Sequence, residues 1–369
     1  MPLYSLAFLP AFAYQALAIV AALNHLRRRY RQRKLPELFQ PPVSILKPLR
    51  GLDPNTLEAF VSQASVHYPE FELLFGVADP NDPAIPDVLR LQRQFPHTQI
   101  QLLIGHASLP NGKVGVLANL AKHARYPIWV VNDSDIRVTP EYLSRVVEPL
   151  REASVGLVTC LYKARAHTLP ALWESLGVAT DFMPSTLVAQ LIGVREFGLG
   201  STLAFRAADL ERAGGFAAIG NYLADDYQLA KRITGQGKRA LLSTYTVETS
   251  LGDATWLGSW EHQLRWARTI RASKGKGYAG LPVTHAGVWI LLAFALSAKG
   301  LALGLLTLRI LSAALGGCAV LESTAIAGIF WLAPVWDLYS FAVWLASYRG
   351  RDVRWRDRVL RIDRQGRIL

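Results

Sequence analysis

The apolar positions of this chain fall into runs of two different lengths. Residues 3–23 carry no charged side chain, and about 20 apolar residues suffice for a helix to cross a bilayer. From 283 almost to 348 the chain is apolar again, in the stretches 283–298, 301–321 and 325–347, with Lys299, Arg309 and Asp337 as interruptions. Between these two ends the runs are short. Residues 43–46, 73–78, 100–104, 128–131 and 155–159 read as strands, and 55–66, 86–95, 113–124 and 140–150 carry helical spacing. Uninterrupted apolar strands separated by amphipathic helices predict a parallel α/β sheet, buried on both faces. Residues 171–193 are mostly apolar but include Glu174, Asp181 and Pro184. That pattern predicts an interfacial helix or a buried segment facing substrate, not a span.

Charge changes the picture at the ends. The formal net charge is +12, and much of it sits in two blocks. One holds Arg27, Arg28, Arg29, Arg31, Arg33 and Lys34, and the other runs through the tail from Arg349 to Arg367. Each block directly follows an apolar run. Basic clusters suit nucleic acid, but this position favours an anionic membrane surface instead. Because the basic residues follow the first apolar run, it reads as an uncleaved anchor with its N-terminus outside. The chain then divides into an anchor (1–25), a basic juxtamembrane linker (26–40), a catalytic domain (41–280), C-terminal membrane helices (281–348) and a basic cytoplasmic tail (349–369). A catalytic part and a tail on the same side require an even number of C-terminal crossings. The stretch around Arg309 is therefore expected to be re-entrant or interfacial. The two cysteines, Cys160 and Cys318, have no zinc or disulfide spacing.

Ligands of open α/β sheets bind beyond the carboxyl ends of the strands, and acidic residues stand there. Asp79 follows 73–78, Asp133 and Asp135 follow 128–131, and Asp225 with Asp226 comes later. A lone aspartate after a strand also suits a turn or helix cap, and that reading competes for Asp79. Two carboxylates on one short turn repel, and a divalent cation relieves the repulsion. Hard oxygen ligands suit Mg²⁺ or Mn²⁺, held by one or two carboxylates together with substrate phosphates. A sugar nucleotide supplies such phosphates. Asp79 could then hold the nucleotide, Asp133 and Asp135 the metal, and Asp226 could act as base. Lys47 and Lys113 are long cations at the same sheet edge, fit either to approach donor phosphates or to be solvated. Gly198 and Gly200 suit close approach to a donor sugar or an ordinary turn. In the segment from Trp260 to Arg268, Arg265 and Trp266 suit a leaving diphosphate and an acceptor site, and equally an amphipathic interfacial helix.

These residues resemble a known family. The motifs are Ser44–Gly51, Asp79 with Asp82-Pro83-Ala84-Ile85, Asn111-Gly112-Lys113-Val114, Asp133–Val138, Ala213-Gly214-Gly215-Phe216, Ala224–Tyr227 and His262–Trp266. Together they cover roughly 41–270 and resemble the ceramide glucosyltransferase-like glycosyltransferases of family 21. Within that family the chain looks most like the bacterial hopanoid-biosynthesis enzymes, which place N-acetylglucosamine on bacteriohopanetetrol. The resemblance implies a GT-A, Rossmann-like α/β domain with one N-terminal and two or more C-terminal transmembrane helices. It implies an inverting transfer of glucose or N-acetylglucosamine from a UDP-sugar to a membrane lipid hydroxyl, in a bacterial inner membrane, with the catalytic domain facing the cytoplasm. By position Asp79 corresponds to the nucleotide-binding aspartate, Asp133 and Asp135 to the metal motif, and Asp226 to the base. Arg265 and Trp266 match the end of a Gln/Arg-x-x-Arg-Trp motif whose first position is His262 here. That departure also speaks against a processive polysaccharide synthase. The alternatives within reach are a ceramide or other glycolipid glucosyltransferase and, in another class, a non-catalytic membrane nucleotide-sugar-binding protein.

Overall fold

The computed structural model describes residues 3–32, 39–53, 55–105, 109–355 and 358–369. Seven strands form one sheet: β1 (Val43–Pro48), β2 (Phe71–Val77), β3 (Gln99–Ile104), β4 (Ile128–Val131), β5 (Val155–Arg165), β6 (Leu203–Arg206) and β7 (Arg239–Ser250). Their order is β3-β2-β1-β4-β6-β5-β7. The first four run parallel, β6 runs antiparallel to both neighbours, and β7 is parallel to β5. The expected all-parallel, five-stranded sheet is thus corrected to a mixed one of seven, and β5 is longer than 155–159. The strand β6 has only four residues, and β7 alternates buried with half-exposed positions. Neither makes a long apolar run.

Three helices pack on the first half of the sheet, α2 (Thr56–Ala64), α3 (Ile85–Gln94) and α4 (Gly112–Ala121), while α5 (Tyr142–Val147) packs on β5, β6 and β7. They follow an anchoring helix, α1 (Leu9–Gln32). One apolar core under the sheet holds Ile45, Phe75, Val130 and Val158, and the other face holds Leu46, Leu74, Val131 and Phe205. Successive residues of each strand point to opposite faces, so both faces of β1 and β4 are dry.

The helices α6 (Leu169–Gly177) and α7 (Met183–Leu191) are joined by a π-helical turn, Val178–Phe182. They occupy the 171–193 segment and are largely buried in the protein. After α8 (Ala207–Arg212) and α9 (Asp225–Thr234) comes the long α10 (Trp256–Ala279), whose backbone kinks at Gly275. An apolar helical layer follows: α11 (Ala286–Ala295), α12 (Lys299–Ala314), α13 (Thr324–Ala327) and α14 (Ala333–Ser347). This layer packs directly on the sheet and on α1 and α7. Leu161 of β5, Leu242 of β7, Leu187 of α7, Ala18 and Ala22 of α1 and Trp336 of α14 share one buried cluster. Gly177 lets the indole of Trp336 close in, since a Cβ there would lie 1.9 Å from the ring.

Among the described residues, two helices are long and apolar enough to cross a membrane, Ser5–Gln32 and Lys299–Val320. A pair bent by 51°, Gly277–Val283 with Ala286–Ala295, makes a third if taken as one span. The stretch around Arg309, expected to be re-entrant or interfacial, is not re-entrant. That helix is continuous, and the bend falls before α11. Arg309 is buried, and its guanidinium forms two bonds to the Asp337 carboxylate (2.9 and 2.5 Å) and one to the Thr180 carbonyl (2.6 Å).

The basic blocks also differ from expectation. The anchor helix runs past residue 25 to Gln32, through much of the expected linker. Residues 33–38, with Arg33 and Lys34, lie outside the described residues. Arg28 donates to Gln190 Oε1 (2.9 Å) and the Leu242 carbonyl (3.2 Å). Arg29 donates to the Thr244 and Val320 carbonyls and pairs with Glu322 at 2.8 Å. These two arginines therefore tie the anchor to β7. The tail is likewise folded: β8 (Asp352–Trp355) and β9 (Arg358–Arg361) form a two-stranded antiparallel sheet. Beyond it, Gly366 and Ile368 bond the backbone of Leu223 and Asn221.

Candidate active site

The carboxyl ends of β1, β2 and β4 share one sheet edge, because these strands are parallel and adjacent. Lys47 lies near the end of β1, Asp79 just beyond β2, and Asp133 just beyond β4. Lys47 is fully buried, and its ammonium donates to the Asp133 carbonyl at 3.0 Å. Burial pulls it down to about 8, against the pull of Asp135 and Asp133. Lys47 therefore holds the Asp133 turn from beneath.

Lys113 enters from the first turn of α4, whose N-cap is Asn111. Its ammonium lies 2.8 Å from Asp133 Oδ1 and 3.1 Å from Asp225 Oδ2. Burial alone would lower its pKa, but Asp133 and Asp225 outweigh burial and raise it. Neither lysine is a solvated surface cation. Lys113 joins two aspartates that are 92 positions apart in the chain.

Asp226 stands in the first turn of α9. Its Oδ1 accepts from the Tyr227 amide (2.7 Å) and its Oδ2 from the Gly200 amide (3.1 Å). The Gly200 carbonyl in turn accepts from the Asp133 amide at 3.2 Å. Gly200 must be small: a Cβ there would lie 2.8 Å from Asp133 Oδ2. Burial, then Asp225, pushes Asp226 up to about 7, with Lys113 opposing. A carboxylate so poised can take a proton near neutral pH.

Asp135 is braced from β7. Its Oδ2 accepts from the Thr249 hydroxyl and the Ser250 amide (3.1 Å) at the end of β7. Burial, then Asp133, raises its pKa. Asp79 is exposed and forms its own turn, accepting from the Asn81 amide at 2.8 Å. It shares the edge with Asp133 but stands two strands away. Among the described residues no three His, Cys, Asp or Glu side chains converge as a ready-made metal cluster. The donor set nonetheless fits a hard divalent cation, which needs only one or two carboxylates when phosphates complete its shell. The repulsion that raises Asp135 is the kind a cation relieves.

Arg265 and Trp266 lie on α10. Trp266 packs on His262 (4.6 Å between centroids) and Phe182 (6.0 Å), and Phe182 on Tyr162 (5.2 Å). Burial and the charges of Glu174, Asp133, Asp226 and Asp135 keep the Tyr162 hydroxyl un-ionised. Tyr162 thus stands between the acids and this aromatic chain. Glu174, buried in α6, accepts from His262 Nδ1 and from Gln263 (3.2 Å). Sequence pattern did not mark Glu174 or Tyr162 as part of the site. An acid inside an apolar run was the available signal for Glu174, and Tyr162 had none.

The chain is 28% identical over 236 residues to ceramide glucosyltransferase 1 of Caenorhabditis elegans, covering 63% of this chain and 50% of that one. It is 31% identical over 168 residues to ceramide glucosyltransferase of Komagataella phaffii, covering 40% and 33%. The chain thus spans about half the length, or less, of these curated relatives. Among solved structures, the mannosyltransferase PcManGT of Pyrobaculum calidifontis, in complex with GDP-Man and Mn²⁺, superposes with a TM-score of 0.53 at 19% identity, covering 93% of this chain and 99% of that one. The fold is a GT-A-like glycosyltransferase fold with a mixed sheet. The family model Glycosyl transferase family 21 matches residues 8–368, and this chain belongs to that family.

Proposed function

We propose that this chain transfers a sugar, glucose or N-acetylglucosamine, from a UDP-sugar to the hydroxyl of a membrane lipid, with inversion at the sugar carbon. The observation that carries this reading is the bonded cluster of Asp133, Lys113, Asp225 and Asp226 in a sheet that shares a buried core with an apolar helical layer. The names of the curated relatives favour a ceramide-type acceptor over a hopanoid. A soluble sugar acceptor would give no reason for the catalytic sheet to be fused to such helices.

In this mechanism Asp226 removes the proton of the acceptor hydroxyl. The acceptor oxygen bonds to the anomeric carbon as the bond to the UDP oxygen breaks. A Mg²⁺ or Mn²⁺ ion held by Asp133 and Asp135 would neutralise the diphosphate. Lys47 and Lys113 keep Asp133 in place, Asp79 holds the nucleotide from the end of β2, and Arg265 stabilises the departing UDP. Trp266, Phe182 and Tyr162 line the acceptor approach from the apolar layer. The catalytic part faces the cytoplasm of a bacterial inner membrane, and the exposed Arg27 and Arg31 meet its anionic surface.

The test supplies the purified chain with UDP-glucose or UDP-N-acetylglucosamine, Mn²⁺, and either ceramide or bacteriohopanetetrol. Products are identified by mass spectrometry and UDP release is measured. A glycosylated ceramide supports the reading, a glycosylated hopanoid moves the acceptor, and donor binding without lipid-dependent UDP release leaves a non-catalytic binder.

A further inference from the structure

The tail and α10 form a half-open polar cavity, apart from the cluster of acids around Lys113. Its volume is about 350 Å³, and its lining includes Arg268, Arg271, Tyr348, Arg351, Asp363 and Arg364. Four guanidinium groups face one carboxylate in that lining. The Asp363 carboxylate is already engaged in its own turn, accepting from the Gln365 (2.7 Å) and Arg367 (2.9 Å) amides. Arg268 donates to the Asp352 and Arg349 carbonyls, yet its Nε is buried without a hydrogen-bond partner. Arg271 reaches the Gly350 carbonyl at 2.8 Å and lies over the Tyr348 ring at 5.3 Å. Burial, then Arg271, lowers the pKa of Arg268, with Asp352 opposing. Cations crowded in this way are stabilised by an anion.

The place of the cavity says which anion. It opens where α14 ends and the tail begins. Along α14, Phe341 stacks on Trp344 (5.6 Å) and Trp344 meets Tyr348 edge-on (5.1 Å). An aromatic ladder that ends in arginines is the pattern of a membrane–water interface. A soluble phosphate would have no use for such a ladder.

We propose that this cavity binds the phosphate of an anionic phospholipid headgroup. The planar forks of Arg351 and Arg364 close over phosphate oxygens, while Arg271 and Arg268 form the floor. The site stands on the same helix as Arg265 and Trp266. Its tail wall continues to Gly366, which bonds Leu223, two residues before Asp225. The inference rests on the membrane reading and is independent of the sugar chemistry.

The test uses the full chain in detergent, without sugar donor or acceptor. Dioctanoyl phosphatidylglycerol, dioctanoyl phosphatidylcholine and inorganic phosphate are titrated separately and binding is read by native mass spectrometry. The expected result is saturable binding of phosphatidylglycerol, weakened about 30-fold in R351Q/R364Q, since each basic residue near an anionic surface contributes about 1 kcal/mol and about 1.4 kcal/mol is tenfold. The variant Arg271→Gln should weaken it about fivefold, and a wild-type melting temperature in both variants separates loss of charge from loss of the tail fold. Equal binding by wild type and both variants would overturn the proposal. So would equal affinity for phosphatidylcholine, or for inorganic phosphate.

Discussion

The carboxylate of Asp226 accepts from the amide of Gly200 at 3.1 Å, and the carbonyl of that same glycine accepts from the Asp133 amide. One peptide segment thereby spaces the proposed base from the proposed metal ligand. The register of β4 against β6 sets this, because Val131 opposes Leu203 just before the two turns diverge.

Replacing Gly200 with alanine tests the spacing. The new Cβ would lie 2.8 Å from Asp133 Oδ2, so the carboxylate has to move. A displacement of about 1 Å in a reacting array costs on the order of 100-fold in rate. The expected outcome for Gly200→Ala is a loss of that order in kcat with a melting temperature close to wild type. Unchanged kcat would show that the Gly200–Asp133 spacing has no role in turnover.

Asp226→Asn should remove transfer while keeping the donor bound. General base catalysis contributes about 10²–10⁴-fold, and the fall in kcat should lie in that range or beyond. The folded pKa of Asp226 is raised by burial, so between the ordinary carboxylate value and about 7 the folded chain holds a proton that the unfolded chain releases. Stability therefore declines as pH rises through that window. At pH 8 the asparagine variant should melt no lower than wild type, and wild-type turnover by it would overturn the assignment.

The same shift fixes the pH profile. Only the ionised carboxylate can accept the proton, so kcat/KM should fall as pH drops below about 7. Asp225 pushes Asp226 up, so Asp225→Asn should move the acid limb to lower pH. Measurement of kcat/KM from pH 5 to 9 in both proteins checks this, and a limb that stays in place removes Asp225 from the account.

What could be read from sequence follows from where strands lie. Strands β1 to β4 are dry on both faces and announce themselves as apolar runs. The short β6 and the alternating edge strand β7 do not, and a parallel sheet was expected where a mixed one stands. The acids were legible because Asp79, Asp133 and Asp135 directly follow strands. The purpose of Lys47 and Lys113 was not, since nothing local shows that Asp133 and Asp225 converge on Lys113. Arg28 and Arg29 read as lipid-facing charge because their carbonyl partners are distant in the chain.

Glu174 supports the Trp266 motif from the buried side. It accepts from both His262 and Gln263, and His262 packs on Trp266. Glu174→Ala leaves those two donors without their acceptor and loosens the indole. The loss of one charged hydrogen bond is on the order of tenfold, and it should appear mainly as a higher KM for the lipid acceptor. Glu174→Gln keeps an acceptor oxygen and should restore most of the effect. Equal KM values for all three proteins would disconnect Glu174 from acceptor binding.

Arg309 and Asp337 make the last case, and here the single and double variants must differ in direction. Both side chains are almost fully buried, and the pair is two-pronged. Asp337 also accepts from the Gly287 amide at 2.8 Å, and Arg309 donates to the Thr180 carbonyl. The pair therefore links α12, α14, α11 and the π-helical turn. Removing one partner strands the other charge in an apolar layer, at about 3–5 kcal/mol. Arg309→Leu and Asp337→Leu should each melt far below wild type in detergent. The double leucine variant removes both charges together, and exchange of a buried pair for apolar groups is often close to neutral. It should recover most of the lost melting temperature. Additive losses in the double variant would mean that the two side chains stabilise the helical layer separately, through Thr180 and Gly287, and not through each other.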